Sequence, residues 1–353
     1  MDSLSNMPIV PVGDPTWSSR GNNRDATGAS LRTADGSSSG QAPRTGGRIT
    51  TVTVAICTFR RAAVLDCLRS IAAQQLRDLN QRVLVVDNDD ADTARLAIET
   101  AGRELGIDLR YVHAPGRNIS IARNACIENC ETEWLAFIDD DETASPDWLQ
   151  KLIDRTRETP PVAAIFGPMQ AIYDETAPGW LKRGDFHSAA VVLVDGEIRT
   201  GYAGNSLIDL HHPAVRGQLF DLALGKSGGE DTDFFDRIYR NGGRFDYAAD
   251  ALVRERLTAD RQSLRWFLRR RYRSGQTHGR LLARQHRGLG LLTQLGLAGA
   301  KAVICLGMCV ITLPRPVTWR RWLMRGVLHA GVVARLFGQQ EATLYGQQEV
   351  SAS

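Results

Sequence analysis

The sequence predicts an α/β protein: a Rossmann-like, mostly parallel sheet with helices on both faces, followed by a C-terminal helical extension. Two observations predict the sheet. Short, nearly continuous apolar runs alternate with stretches of helical periodicity from residue 49 to residue 168, and strands that lack an apolar–polar alternation are those buried on both faces. Three of the runs end in polar clusters: Thr58-Phe59-Arg60, Asp87-Asn88-Asp89 and Asp139-Asp140-Asp141. In doubly wound sheets, ligands sit outside the carboxyl ends of the strands.

Residues 49–58 alternate β-branched side chains and end in a polar turn, which reads as the first strand. Residues 61–75 carry Val64, Leu65, Leu68 and Ile71 at helical spacing. Residues 82–86 form a second strand, 91–105 a helix, 109–112 a strand, 119–129 a helix and 133–138 a buried strand. A helix over 147–157 and a strand over 162–168 continue the pattern. Asp195-Gly196 between 189–194 and 197–202 is a hairpin signal. Gly228-Gly229-Glu230-Asp231 opens a helix that Gly242-Gly243 stops near Asn241. Residues 264–287 form a strongly basic helix, and 289–313 the most apolar stretch of the chain, interrupted by Gln294 and Lys301.

Four segments follow from this pattern. Residues 1–48 are rich in Ser, Gly, Thr, Asn and Asp and almost free of large apolar side chains, so disorder is expected. Residues 49–260 form the sheet domain, 261–340 a basic and apolar helical extension, and 341–353 a tail. The whole chain of 353 residues carries a net charge of only +3, yet residues 254–335 hold 17 basic and 2 acidic side chains. That asymmetry points to an anionic surface. The six cysteines show no metal-binding spacing and read as ordinary thiols of a reducing compartment. No apolar run of signal-peptide length opens the chain, so a cytoplasmic protein is expected.

Trp134-Leu135-Ala136-Phe137-Ile138 runs directly into three carboxylates, which is costly unless a cation or hydrogen-bond donors compensate. Asp139 and Asp141 share one side of such a run. Hard oxygen ligands of this kind suit Mg²⁺ or Mn²⁺ when phosphates complete the shell, while the plain alternative is a solvated turn capping the next helix. Asp87 ends another strand, where an acid accepts hydrogen bonds from a base or ribose. No glycine-rich loop follows the first strand, which argues against dinucleotide-binding and Walker-type proteins. Glu230, Asp231 and Asp233 stand at a helix start, where acids cap the helix or supply a general base.

In order and spacing, Cys57-Thr58-Phe59-Arg60, Val85-Val86-Asp87-Asn88, Gly116-Arg117-Asn118, Ala122-Arg123-Asn124, Phe137-Ile138-Asp139-Asp140-Asp141 and Gly229-Glu230-Asp231 resemble the family 2 inverting glycosyltransferases. They look most like the branch that builds bacterial exopolysaccharide on a lipid carrier. The resemblance covers residues 49–287. It implies a hexose transfer from a nucleotide-sugar donor, UDP-linked, to a hydroxyl of a lipid-linked or oligosaccharide acceptor. Thr58 and Arg60 would line the nucleotide pocket, Asp87 would bind the base, and Arg123 and Asn124 would lie under the donor. Asp139, beside Asp140, would contact the ribose, Asp141 would ligate Mn²⁺ or Mg²⁺, and Asp231 would be the catalytic base with Glu230 beside it.

Where many relatives carry a metal-binding histidine, this chain has Val253-Arg254-Glu255, so Glu255 stands as a metal ligand or an acceptor contact. Processive relatives pair a Gln-x-x-Arg-Trp motif with many membrane spans. Here Gln262-Ser263-Leu264-Arg265-Trp266 occurs without the spans, and a single addition is expected. A nucleotidyltransferase of similar architecture is the alternative; it opens with the glycine-rich loop that is missing. A catalytically dead binding module is disfavoured by intact Asp139, Asp141 and Asp231.

His187, His211 and His212 read as surface or capping residues. Trp180 reads as core, and Asn205 as an acceptor-side residue or a turn. Arg265 to Arg273 interleaves arginine with aromatics; an anionic membrane explains this better than nucleic acid, because the apolar stretch follows. A monotopic helical hairpin in the cytoplasmic leaflet of the inner membrane is expected, in preference to a true span or to packing on the domain.

Overall fold

The computed structural model describes residues 50–341. The segment expected to be disordered and the tail beyond Glu341 lie outside them. In chain order come β1 (Thr50–Thr58), α1 (Val64–Ala72), β2 (Leu79–Asp87), α2 (Arg95–Leu105), β3 (Leu109–His113), α3 (Ile119–Glu128) and β4 (Trp134–Asp139), the predicted alternation. There follow β5 (Glu142–Ala144), α4 (Trp148–Glu158), β6 (Ala164–Phe166), β7 (Met169–Ile172), α5 (Gly179–Gly184), β8 (Leu193–Val194), β9 (Glu197–Ile198), β10 (Asn205–Asp209) and α6 (Glu230–Arg240). The chain continues through β11 (Phe245–Tyr247), β12 (Val253–Arg256), a 3₁₀ turn (Ala259–Gln262), α7 (Leu264–Gln285), α8 (Leu289–Ile311) and α9 (Pro316–Leu336).

Seven strands make the main sheet in the order β11-β6-β10-β4-β1-β2-β3. All run parallel except β10, which is antiparallel to both β4 and β6. Alternate side chains feed two cores, as a doubly covered sheet requires. Val52, Val54 and Ile56 of β1 pack with Leu68 and Ile71 of α1 and Trp148 of α4. Ala55, Leu84 and Phe137 face the other way, onto Ala122 of α3 and Phe234 of α6. Each fully buried Leu or Ile contributes about 1.5–3 kcal/mol, so a charge on either face of β1 would be disruptive.

Two local expectations shift. The 162–168 strand shortens to β6 in the main sheet, ending before Pro168, which cannot donate to a ladder, and a further strand that was not expected, β7, joins a small sheet of order β5-β12-β7. The hairpin shrinks to two residues a side around Asp195 and Gly196, whose φ values of +53° and +83° make the tight turn.

The helical extension is partly built into the domain. Met324 of α9 is fully buried with Leu181, Phe186, Leu257 and Phe267. α9 also crosses α7 at small residues: a Cβ at Gly275 would lie 1.9 Å from the Leu328 carbonyl oxygen, so only glycine permits this approach. α8 behaves differently. Only Ala298 and Cys305 of it are buried, and Val303, Val310 and Ile311 are 70%, 67% and 72% exposed. Among the described residues it is the one helix long and apolar enough to cross a membrane.

Candidate active site

The register of the central strands assembles the site. Cys57 pairs with both Val86 and Asp139, and Thr58 with Asp87, so the three polar strand ends stand side by side at one edge of the sheet. Thr58 Oγ1 donates to Asp140 Oδ2 at 2.8 Å. Arg60, at φ +54°, turns its Nε to Asp89 Oδ2 at 2.8 Å. That left-handed residue ends β1 and delays α1 to Val64. Asp87 is buried, and its carboxylate accepts from the Tyr111 hydroxyl at 2.7 Å and the Asp89 N–H at 3.0 Å. Its reach towards a base therefore runs through the lone pairs left over.

Arg123 is buried on α3, 2.5 Å from Glu230 Oε1 and 3.8 Å from Asp139 Oδ1. Burial alone would lower its pKa, but Glu230, Asp139 and Asp231 more than reverse this, and the guanidinium stays charged. Asn124 was expected beneath the donor. In the structure it instead clamps the loop before α6 onto α3, because its amide donates to the Phe220 carbonyl at 2.9 Å and accepts the Phe220 N–H at 2.7 Å. Asn205 is likewise a pin rather than an acceptor residue, accepting from Trp148 Nε1 at 2.8 Å and donating to the Pro168 and Ala251 carbonyls. Trp180 packs against Phe186 and Phe267, as its core assignment requires.

The acidic end of β4 is a concentration of negative charge. Arg61 Nη1 donates to Asp140 Oδ1 at 2.9 Å and Asp141 Oδ2 at 2.5 Å. Arg261 adds a 3.3 Å contact to Asp141 Oδ2. Asp139 is half-buried against Gly204, where a Cβ would lie 2.7 Å from Asp139 Oδ2. Burial and the like charges of Asp141 and Glu255 raise its pKa against the pull of Arg123, and solvent reaching the side chain limits the rise. Burial, Asp139, Asp141 and Glu255 raise Glu142 well above the usual range.

These carboxylates fit a divalent cation in chemistry, being hard oxygen donors with surplus negative charge. No cluster of three or more ligand side chains is assembled among the described residues, so phosphate oxygens would have to complete the shell. Glu255 is no ready ligand. Its Oε2 accepts from His187 at 2.7 Å and its Oε1 from Arg261 at 2.7 Å. Burial pushes its pKa up, but His187, Arg261 and Arg270 outweigh that and bring it to about 2.

His187, expected as a surface or capping residue, is therefore a site residue. It is buried between Glu255 and Arg270, whose Nη1 donates to Nδ1 at 3.1 Å. With Nδ1 accepting, the proton sits on Nε2 and goes to Glu255. Burial, with Arg270 and Arg261, lowers its pKa and keeps the ring neutral. Arg61 and Arg261 carried no local signal in the sequence either, and Arg270 was read only as part of the basic Arg265–Arg273 run.

Across the cleft, α6 separates its two leading acids. Glu230 turns inward to Arg123, whereas Asp231 lines a large cavity between the sheet domain and the helical extension. A carboxylate at a helix N-terminus, facing a cavity, can accept a proton from a bound hydroxyl.

A mostly parallel sheet with acids gathered at its strand ends, faced by the acidic start of a helix, is the architecture of a GT-A glycosyltransferase. The family model for Glycosyl transferase family 2 matches residues 53–211. The succinoglycan biosynthesis protein ExoM of Rhizobium meliloti (strain 1021) is 45% identical over 303 residues, covering 86% of this chain and 98% of that protein. A glucosyl-dolichyl phosphate glucuronosyltransferase of Haloferax volcanii is 24% identical over 245 residues, 64% of this chain and 75% of that one. Among solved structures, the mannosyltransferase PcManGT of Pyrobaculum calidifontis, in complex with GDP-Man and Mn²⁺, shares the fold at a TM-score of 0.55 and 18% identity, covering 82% of this chain and 88% of its own. The chain belongs to glycosyltransferase family 2 and is a sugar-transferring enzyme.

Proposed function

We propose that the enzyme moves a hexose from a nucleotide-sugar donor, UDP-linked, with inversion, onto a hydroxyl of a lipid-linked or saccharide acceptor in exopolysaccharide assembly. The observation that supports this most is the separation of Glu230 from Asp231. One acid holds Arg123, and the other faces open space opposite the strand-end acids. The relatives add support: ExoM is a succinoglycan biosynthesis protein, the glucuronosyltransferase acts on a dolichyl-phosphate glucoside, and PcManGT binds a nucleotide sugar with Mn²⁺.

In this reading Thr58, Arg60 and Asp87 form the base pocket, Asp139 meets the ribose, and Arg123 stands beside the diphosphate. Asp141, with Asp139, would hold the divalent cation. The chemistry such a cation supplies when bound is neutralisation of the leaving diphosphate. Asp231 takes the proton of the acceptor hydroxyl as its oxygen bonds the anomeric carbon. The bond from that carbon to the phosphate oxygen breaks on the opposite face, and the nucleoside diphosphate leaves with the electron pair. α8 and the arginines around it would hold the enzyme on the cytoplasmic face of the inner membrane, peripherally or monotopically.

The test is a panel of nucleotide sugars given to the full chain with lipid-linked saccharides, reading diphosphate release and the anomeric configuration of the product. One donor consumed with inversion is expected. A product of retained configuration, or no nucleotide sugar consumed, overturns the reading.

A further inference from the structure

Between Asp260 and Glu341 the chain carries no aspartate or glutamate, while residues 264–336 hold fourteen arginines and lysines. Glu341 ends that run, and it is buried: its side chain is 8% exposed, as is that of its partner Arg280. Arg280 Nη1 donates to both oxygens of Glu341, at 2.9 and 2.8 Å. Burial, with Arg284 and Arg335 nearby, lowers the pKa of Arg280 against the pull of Glu341 and Asp233. A buried cation that loses its partner is costly, so Glu341 keeps this guanidinium in place.

Two rows of α7 side chains carry the arrangement. Tyr272, Gln276 and Arg280 stand four apart on one face. The chain turns at Gly338, φ +89°, and lays three successive residues along that row. The Tyr272 hydroxyl donates to Gln339 Oε1 at 2.6 Å, Gln276 Nε2 to the Gln340 carbonyl at 3.2 Å, and Arg280 to Glu341. Arg273, Thr277, Arg280 and Arg284 form the second row, which faces the start of α6. Arg273 Nη1 donates to the Ser227 carbonyl at 3.1 Å, Arg280 Nη2 to the Gly229 carbonyl at 3.2 Å, and Arg284 to Asp233. A Cβ at Gly229 would lie 2.5 Å from Thr277 Cγ2. Arg280 belongs to both rows.

The start of α6 needs this outside hold. Gly228 and Gly229 enter the helix at φ +85° and +80°, and no side chain caps it. Glycine is the least restrained residue in such a conformation, so the shape of the turn depends on what grips it. The Gly229 carbonyl accepts the first helical bond, from the Asp233 N–H at 3.1 Å, and spends its second lone pair on Arg280. Asp231 lies two residues further on.

We propose that Arg280, fixed by Glu341, is a positioning residue for the transfer: it holds the Gly229 carbonyl so that the start of α6 presents Asp231 to the acceptor hydroxyl. The inference rests on Asp231 as the base. It makes the residues that follow α9 part of the machinery of the site.

Hydrogen exchange on the full chain reads this hold with no transfer step. Residues 229–236 should exchange about 10–100-fold faster in Glu341→Gln and in Arg280→Lys, while β1 and β4 keep their protection. Arg280→Lys leaves a cation for Glu341 but not the fork that also reaches Gly229, so its Tm should stay close to wild type. In both variants kcat should fall about 10–100-fold with KM for the nucleotide sugar held, and Glu341→Asp should recover part of the loss. Unchanged exchange over residues 229–236 in both variants overturns the proposal. So does faster exchange there with normal kcat. A kcat loss that comes only with a matching fall in Tm and faster exchange in β1 and β4 also overturns it, since the pair would then clamp the whole fold. If α6 loosens and kcat falls as expected, yet Asp231→Asn turns over normally, the hold on α6 stands and the base reading falls.

Discussion

Glu255 accepts a 2.7 Å hydrogen bond from His187, a residue 68 positions away in the chain. The pair forms the middle of a line that runs from Arg270 through His187 and Glu255 to Arg261 and on to Asp141. The ring is buried and both its nitrogens are engaged, so its expected role is to position Asp141 through Glu255 and Arg261.

His187→Ala should therefore weaken the enzyme's affinity for the proposed divalent cation by about 10–100-fold, the usual cost of losing a group that orients a ligand. His187→Gln can donate to Glu255 and accept from Arg270, and should recover most of that loss. Metal titration of the turnover rate checks both. Equal loss in the two variants, with a matching fall in Tm, would reduce His187 to packing.

Metal dependence follows from the surplus of carboxylates at the end of β4. Excess chelator should stop transfer, and Mn²⁺ or Mg²⁺ should restore it. Asp141→Asn should raise the metal concentration needed for half-maximal rate, with a smaller effect for Asp139→Asn. Full-rate transfer in excess chelator would contradict the assignment.

The sheet was legible because its strands are apolar throughout and its helices periodic, and those patterns are local. The strand-end acids were legible for the same reason: each follows directly on its strand. The line through His187 was not. It joins residues from the loop before β8, from β12, from the 3₁₀ turn and from α7, and only tertiary packing brings them together. β10 left no mark either: Asn205, Ser206 and Asp209 break up its short run of apolar side chains, and nothing local marks it as a strand of the sheet. Asn124 shows a third limit. A polar side chain beside Arg123 looks like a ligand contact until its partners are known, and both ends of its amide are spent on the Phe220 backbone.

α8 carries a membrane prediction of its own. α9 is anchored by Met324 in the domain core, so removing both helices would damage the fold, and the informative change is to the outward face of α8 alone. Replacing Val303, Val310 and Ile311 with serine removes apolar area that is worth up to about 1.5–3 kcal/mol per side chain when buried in lipid. Sedimentation with anionic vesicles should fall at least tenfold while Tm holds. Unchanged sedimentation would leave α8 without a membrane role.

The last prediction separates the two acids at the start of α6. Glu230 is buried against Arg123 at 2.5 Å, its second oxygen without a hydrogen-bond partner, and it has no path to a hydroxyl in the cavity. Asp231 faces that cavity, and its Oδ1 accepts the Thr232 N–H at 2.7 Å, which fixes the orientation of the carboxylate. Asp231→Asn keeps the shape and that hydrogen bond but removes basicity, so kcat should fall by about 10²–10⁴ with donor affinity close to wild type. Glu230→Gln should act differently. It leaves Arg123 without its ionic partner beside Asp139, so donor affinity and stability should suffer more than the chemical step. Measuring kcat, donor Kd and Tm for both variants distinguishes the two roles. Near-normal turnover in Asp231→Asn refutes the base assignment, and loss of donor binding in that variant would make Asp231 a structural cap of α6.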